Sequence, residues 1–255
     1  MENVLEVHDL EKYYGKKGNL FKAIVDISFA IKKGEFVGIM GPSGAGKTTL
    51  LNIVSTIDKV TCGKVVINKK EVTKLSKKEL ASFRRNNLGF IFQDFNLLDT
   101  LTMKENIALA LTIAGSKKNV VDEKVEKAAI RLGIEDILDK FPAQVSGGQA
   151  QRTAAARAIV NDPALILADE PTGMLDSRSA QMLLETLADL NQKLATTIMM
   201  VTHDPHVASY CQRILFIKDG RIFSKLTRGD DSRKDFFNKI LNVVAFLGGD
   251  SKNVH

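Results

Sequence analysis

Gly41-Pro42-Ser43-Gly44-Ala45-Gly46-Lys47-Thr48-Thr49 fits the pattern G-x-x-x-x-G-K-[ST], with Gly41, Gly46, Lys47 and Thr48 at its fixed places. The flanks supply the context that pattern needs. Before it, Phe36-Val37-Gly38-Ile39-Met40 is apolar without alternation, as a buried parallel strand is. After it, Thr49-Leu50-Leu51-Asn52-Ile53-Val54 reads as a helix start. Glycines in such a loop let backbone N–H groups converge on phosphate oxygens, and the helix N-terminus adds a favourable dipole. Lys47 bridges the β- and γ-phosphates from this position, and the Thr48 hydroxyl is a ligand for Mg²⁺. The stretch predicts a nucleotide site.

Outward from it, Ala23 to Ile31 alternates, with Val25, Ile27, Phe29 and Ile31 on one face of a half-buried strand. Lys32-Lys33-Gly34-Glu35 is the turn into the strand before the loop. Gly63 to Asn68 is another strand, and Ser76-Lys77-Lys78-Glu79 is a capping box opening a basic helix. Leu88 to Phe92 is a fourth strand, ending at Gln93. From Asp94 to about Asp162 the pattern turns helical: Thr102-Met103-Lys104-Glu105 is a second capping box, and Asp122 to Leu132 a helix closed by Gly133. Strands return at Leu165 to Ala168 and Thr197 to Val201. Between them Met182, Leu183, Leu187 and Leu190 form a helical stripe read as core packing. Ile214 to Ile217 and Arg221 to Phe223 flank the hairpin turn Lys218-Asp219-Gly220. The expected fold is α/β, a mainly parallel sheet with the phosphate loop at a strand's carboxyl end and a helical lobe inserted at about 94–162.

The 255 residues allow one large domain with such an insertion. No apolar run is long enough to span a bilayer, and Met1-Glu2-Asn3 lacks the opening of a signal peptide. Cys62 and Cys211 form no C-x-x-C, so neither a metal site nor a disulfide framework is expected, which fits a reducing cytoplasm. The net charge of +6 comes as scattered pairs such as Lys16-Lys17 and Arg84-Arg85, without interleaved aromatics. That pattern counts against nucleic acid as a partner and suits solvated faces or work beside an anionic leaflet.

Further stations carry chemistry. Ala164 to Glu170 is an apolar strand ending in two carboxylates. Alone it is most simply a strand running into a turn; paired with the phosphate loop, Asp169 holds Mg²⁺ through water and Glu170 polarises the attacking water as general base. Ser146-Gly147-Gly148-Gln149 opens an Ala-rich helix, read from Gln151 to Val160, and makes a second anion seat at a helix N-terminus. One chain needs one phosphate cradle, so this one is expected to serve the nucleotide of another subunit; a plain cap at Ser146 is the alternative.

With these residues in view, the chain from Leu5 to about Arg228 resembles the ATP-binding cassette (ABC) ATPases, P-loop NTPases with an antiparallel β subdomain beside the parallel core. The resemblance makes Ser146 to Gln149 the signature motif and implies a head-to-tail dimer. Two ATP would lie between one copy's loop, Gly41 to Thr49, and the other's signature. It also makes Gln93 the Q-loop glutamine that touches Mg²⁺, Gly173-Met174-Leu175-Asp176 the D-loop, His203 the switch histidine and Tyr14 the adenine-stacking aromatic. Tyr13 beside it leaves that last choice open. Met174 and Val145 depart from the commonest pattern, both by apolar swaps.

Within transporters, Phe92 to Leu98 and Ala168 to Ser177 resemble the lipoprotein-release and macrolide-export branch. Leu97 to Thr102, Asn106-Ile107, and Val201 to Pro205 with Ala208-Ser209-Tyr210 resemble the bacitracin and antimicrobial-peptide transporter ATPases of Gram-positive bacteria. That likeness implies an ATPase on the cytoplasmic face of the membrane, driving a permease with a large extracellular domain and linked through it to a sensor histidine kinase. Membrane complexes that regulate cell-wall enzymes are the other class to weigh. An extension at 229–255 carries Phe236, Phe237, Ile240, Leu241, Val244 and Leu247 at helical spacing, for packing or for a partner. Gln93, Phe95, Asn96, Leu97, Leu98 and Leu101 are expected to seat the permease.

Overall fold

The structure is a computed structural model that describes residues 2–16 and 19–248. Met1, Lys17, Gly249 and the rest of the extension's end lie outside the described residues. The chain divides into two compact units, residues 1–74 with 199–255, and 75–198.

In the first unit, β1 (Asn3–Lys16) and β2 (Asn19–Lys32) form a long antiparallel hairpin. β3 (Phe36–Met40), buried at every residue, leads through the glycine loop into α1 (Lys47–Val54). β4 (Cys62–Ile67) and β5 (Lys70–Glu71) complete an antiparallel sheet of order β2-β1-β4-β5.

β1 was not expected. Its apolar positions do not alternate cleanly because the ladder shifts register beside Asp9, which stands at a positive φ of 46°. β2 begins earlier than its alternation suggests, and one of its expected core residues is corrected. Asp26, at φ 54°, bulges the strand, so Ile24 is fully buried where Val25 was expected.

The second unit contains α2 (Lys77–Asn87), β6 (Leu88–Ile91), α3 (Met103–Ile113) and α4 (Lys118–Leu132). Then follow α5 (Gly147–Ile159), β7 (Leu165–Asp169) and α6 (Ser177–Leu194). β6 pairs parallel with β7. Both expected capping boxes form: Ser76 and Thr102 each accept from the amide three residues on, and Glu79 and Glu105 reach back. Gly133, left-handed at φ 59°, closes α4. α4 starts at Lys118, ahead of the expected Asp122, and α5 starts at Gly147, ahead of Gln151. Met182 is not a core residue: it is exposed, and Leu184 is buried with Leu183, Leu187 and Leu190.

The chain re-enters the first unit in β8 (Ile198–Val201), followed by α7 (Pro205–Ala208), β9 (Arg213–Lys218), β10 (Arg221–Thr227) and α8 (Arg233–Gly248). There β3 lies between β8 and β9, with β9 parallel to it and β10 antiparallel beyond. The β9–β10 turn uses Asp219 and Gly220, both at positive φ, as a two-residue hairpin requires. α8 packs back on its own unit. Phe236 and Ile240 are fully buried, and the Arg233 guanidinium lies 4.4 Å from the Tyr210 ring centroid. Leu241 and Phe246 on the same helix remain exposed.

Candidate active site

In the first unit the glycine loop is built by close approach. A Cβ at Gly46 would lie 2.5 Å from the Ala23 carbonyl oxygen, and one at Gly41 only 2.1 Å from that of Ile217. No larger residue fits either place without moving backbone. Gly46, left-handed at φ 99°, turns the chain into α1, whose first turn carries no acidic side chain to compete for an anion. Pro42, Ser43, Gly44 and Thr48 are exposed, Ala45 is buried, and Thr49 is half-buried. Lys47 folds across the loop, its Nζ donating to the carbonyls of Gly41 at 2.8 Å and Pro42 at 3.0 Å.

His203 belongs to the same edge. The Thr202 amide donates to the Ile39 carbonyl at 3.1 Å, so the chain after β8 leaves beside the end of β3. Asp204 then caps α7 through the His206 amide, which leaves His203 exposed just ahead of the helix.

Tyr14 is exposed on β1 and oriented by charge. Its hydroxyl donates to Asp58 Oδ2 at 2.6 Å. Lys12, nearly buried, donates to Asp58 Oδ1 at 2.6 Å and to the Lys59 carbonyl at 2.7 Å, with its ammonium 4.6 Å from the Tyr14 ring centroid. Burial opposes ionisation of Asp58, but the hydrogen bonds from Lys12, Tyr14 and the Lys59 amide outweigh it and hold the carboxyl below its usual range. Burial first, then the bond to Asp58, push the Tyr14 phenol above its ordinary value, so it stays a donor. Tyr13 is tied elsewhere, its hydroxyl donating to Glu11 at 2.6 Å. Lys12 and Asp58 escaped the sequence reading because nothing local marks a strand lysine and a loop aspartate as partners.

In the second unit, the parallel pairing of β6 with β7 sets Ile91 opposite Ala168. Gln93 and the pair Asp169-Glu170 therefore leave the same edge. Glu170 stands at φ 45°, and its carbonyl accepts from the Gly173 amide at 3.0 Å. Gly173 gives room for Gln93: a Cβ there would lie 3.1 Å from Gln93 Cδ.

Ser146 caps α5 with a capping box, its Oγ accepting from the Gln149 amide at 3.3 Å and its own amide donating to Gln149 Oε1 at 3.0 Å. Ser146 and Gly147 are exposed. Gly148 is buried because α6 comes close: a Cβ there would meet Ser179 Oγ at 2.4 Å. Asp176 caps α6 through the Arg178 and Ser179 amides and accepts from Ser179 Oγ at 2.7 Å. The Ser179 amide leads in holding the Asp176 carboxyl below its usual range. The sequence expected Asp176 at the nucleotide; the structure shows its carboxylate engaged on its own helix.

Among the described residues no cluster of His, Cys, Asp and Glu forms a metal cage. The donors expected for Mg²⁺, the Thr48 hydroxyl, the Gln93 amide and the Asp169 carboxylate, are hard oxygens of the kind that ion takes, few enough to leave places for phosphate and water. They fit the ion.

The family profile described as ABC transporter matches residues 24–173. The bacitracin export ATP-binding protein BceA of Halalkalibacterium halodurans is 53% identical over 246 residues, covering 96% of this chain and 97% of that protein. The ABC transporter ATP-binding protein YxdL of Bacillus subtilis is 51% identical over 255 residues, covering 100% and 98%. Among solved structures, the dimeric post-hydrolysis state of the ATP-binding cassette MJ0796 bound to ADP and Pi superposes with a TM-score of 0.80. It is 37% identical, over 88% of this chain and 98% of that one.

Proposed function

The chain belongs to the ABC transporter family, and from that membership we propose that it is an ATPase subunit that dimerises around two ATP and drives a permease protecting cells from wall-targeting peptides such as bacitracin. The loop at Gly41 to Thr49 binds the triphosphate on the α1 amides. Lys47 turns from the Gly41 and Pro42 carbonyls to the β- and γ-phosphates, a short reorientation of an ammonium already held at the loop. Tyr14 stacks on adenine. Mg²⁺, held by Thr48, Gln93 and, through water, Asp169, would neutralise charge on the phosphates. Glu170 accepts the proton of the attacking water, Gln93 and His203 contact the γ-phosphate, and a second copy's Ser146 to Gln149 closes over it.

One observation carries the reading. The Ser146 end of α5 is a capped, exposed helix N-terminus packed so closely on α6 that Gly148 admits no side chain. That is more construction than a cap alone needs, and it suits an anion brought by another copy. MJ0796, with 37% identity, is dimeric.

For the permease, no helix among the described residues is long and apolar enough to cross a membrane. A groove of about 400 Å³ in the second unit is lined by Leu88, Phe90, Phe92, Ala110 and Ile113 with Arg84, Arg85 and Arg157 at its walls. Together with Leu98, exposed nearby in sequence, it is the seat we assign to the permease, on the cytoplasmic face of the membrane. The link through that permease to a sensor histidine kinase rests on the sequence resemblance alone.

Glu170→Gln tests the core of the proposal. The amide keeps the shape of the base and removes its function, so ATP binding persists, turnover stops, and an ATP-bound dimer accumulates on size-exclusion chromatography with Mg-ATP. Wild-type turnover in this variant would remove Glu170 as the base.

A further inference from the structure

We infer that Gln151, a residue outside the expected nucleotide contacts, is a positioning residue that ties the catalytic glutamate and the sensing glutamine to the helix of the signature. The inference rests on the reading of Glu170 as base and Gln93 as γ-phosphate sensor.

Gln151 lies in the second turn of α5 and is fully buried. Its side-chain Nε2 donates to two carbonyls from different parts of the chain, Phe92 at 2.9 Å and Pro171 at 2.5 Å. Phe92 is the residue before Gln93, and Pro171 is the residue after Glu170. One NH₂ group therefore fixes the backbone beside both reacting side chains. A shift of either loop pulls on the nitrogen that holds the other.

Two features make this more than core hydrogen bonding. Glu170 stands at φ 45° and is followed by proline, a combination the backbone does not adopt unaided. The conformation persists because its surroundings fix it: the Gly173 amide on the Glu170 carbonyl and Gln151 on the next carbonyl. In addition, Gln151 Oε1 is buried with no partner. A buried amide oxygen left unsatisfied is costly, so the arrangement is retained against a penalty. Turning the amide over would instead set that oxygen against two carbonyl oxygens, so the donor pair is held in one sense.

α5 also holds the far end of the same loop. Arg157, two turns on, donates to the Phe95 carbonyl at 3.0 Å and the Asn96 carbonyl at 2.6 Å. The segment from Phe92 to Asn96 is thus fastened at both ends to the helix that begins with Ser146. Movement of that helix when its N-terminus engages a nucleotide carries Gln93 and Glu170 with it.

The test uses the full-length chain with Mg-ATP and compares Gln151→Glu, Gln151→Met and Gln151→Ala with wild type and Glu170→Gln. Glutamate keeps the shape but turns acceptors toward the two carbonyls; methionine fills the space with no donor. The expected result is a fall in kcat of about ten- to a hundredfold, as for other small misplacements of a reacting group. ATP affinity by equilibrium binding should change less than about twofold, and the ATP-bound dimer should accumulate as it does for Glu170→Gln. If Glu170→Gln stalls while folded Gln151 variants turn over at the wild-type rate, the inference is overturned and the base assignment stands. If Glu170→Gln itself turns over normally, the base assignment fails and the inference with it. Loss of folding or of ATP binding in all three variants assigns Gln151 to the core and also overturns it.

Discussion

The Tyr14 hydroxyl donates to Asp58 Oδ2 across a separation of 44 residues, while Lys12 holds the other oxygen of the same carboxylate and lies against the Tyr14 ring. Asp58 follows the end of α1, so the Tyr14 ring is fixed to the helix that starts at the phosphate loop. Tyr14→Ala is expected to raise the KM for ATP by about tenfold, the worth of about one stacking contact, with kcat little changed. Asp58→Ala is expected to give a smaller rise in the same direction. The pH sign follows from the lowered pKa of Asp58. Its contribution is present above the unfolded carboxylate value of about 3.9 and is lost as pH falls through the lowered folded value. That contribution should therefore be flat through the neutral range. Equal KM values for Tyr14→Ala and wild type would remove Tyr14 from the nucleotide.

Gly148 and Ser179 supply a second test, because the clash there names its own remedy. An alanine at 148 would place Cβ 2.4 Å from Ser179 Oγ and 2.7 Å from Ser179 Cβ. Overpacking of this kind costs about 1–3 kcal/mol, and here it pushes the α5 N-terminus off α6. Gly148→Ala should lose ATPase activity and ATP-dependent dimerisation while still binding ATP, and Ser179→Gly in the same chain should restore part of both. Absence of any rescue would mean that the tight packing is not what Gly148 serves.

What the sequence made legible was what is local. The phosphate loop and the caps at Ser76, Thr102 and Ser146 are each written within a few residues, and each carries its own hydrogen-bond logic. β1 was hidden because its bulge at Asp9 breaks the period of two, and Asp26 hid Ile24 in the same way. The supports of the site were hidden for another reason. Gln151 meets Phe92 across 59 residues and Asp58 meets Lys12 across 46. Such pairs exist only once the topology has brought their elements together.

Lys47→Ala and Ser146→Arg test the shared site together. Each variant alone should be inactive, the first because the triphosphate loses its cation and the second because a bulky cation blocks the mating surface. In a mixed dimer one composite site carries both lesions and the other carries neither. Partial recovery of ATPase activity on mixing is expected if the two sites fire independently. Activity of Ser146→Arg as an isolated monomer would refute the sandwich.

Leu98 separates a permease seat from simple internal packing. Its backbone is fixed from within: the amide donates to Asn106 Oδ1 at 2.8 Å, and the Asn106 side-chain nitrogen donates back to the Leu98 carbonyl at 3.1 Å. Asn106 is fully buried and also binds the carbonyls of Leu101 and Thr102, so the loop is rigid without help from the Leu98 side chain. That side chain is 48% exposed. Leu98→Glu should therefore change stability by no more than about 0.5 kcal/mol, as other exposed substitutions do. Asn106→Ala, in contrast, removes four hydrogen bonds from the loop, leaving the Leu98 and Thr102 carbonyls only their backbone donors, and should lower the melting temperature. With the fold and the isolated ATPase rate retained, Leu98→Glu should fail to co-purify with the permease and fail to confer peptide resistance, because a carboxylate replaces an apolar contact at the interface. A Leu98→Glu chain that unfolds would return this residue to the core, and one that supports full resistance would remove it from the seat.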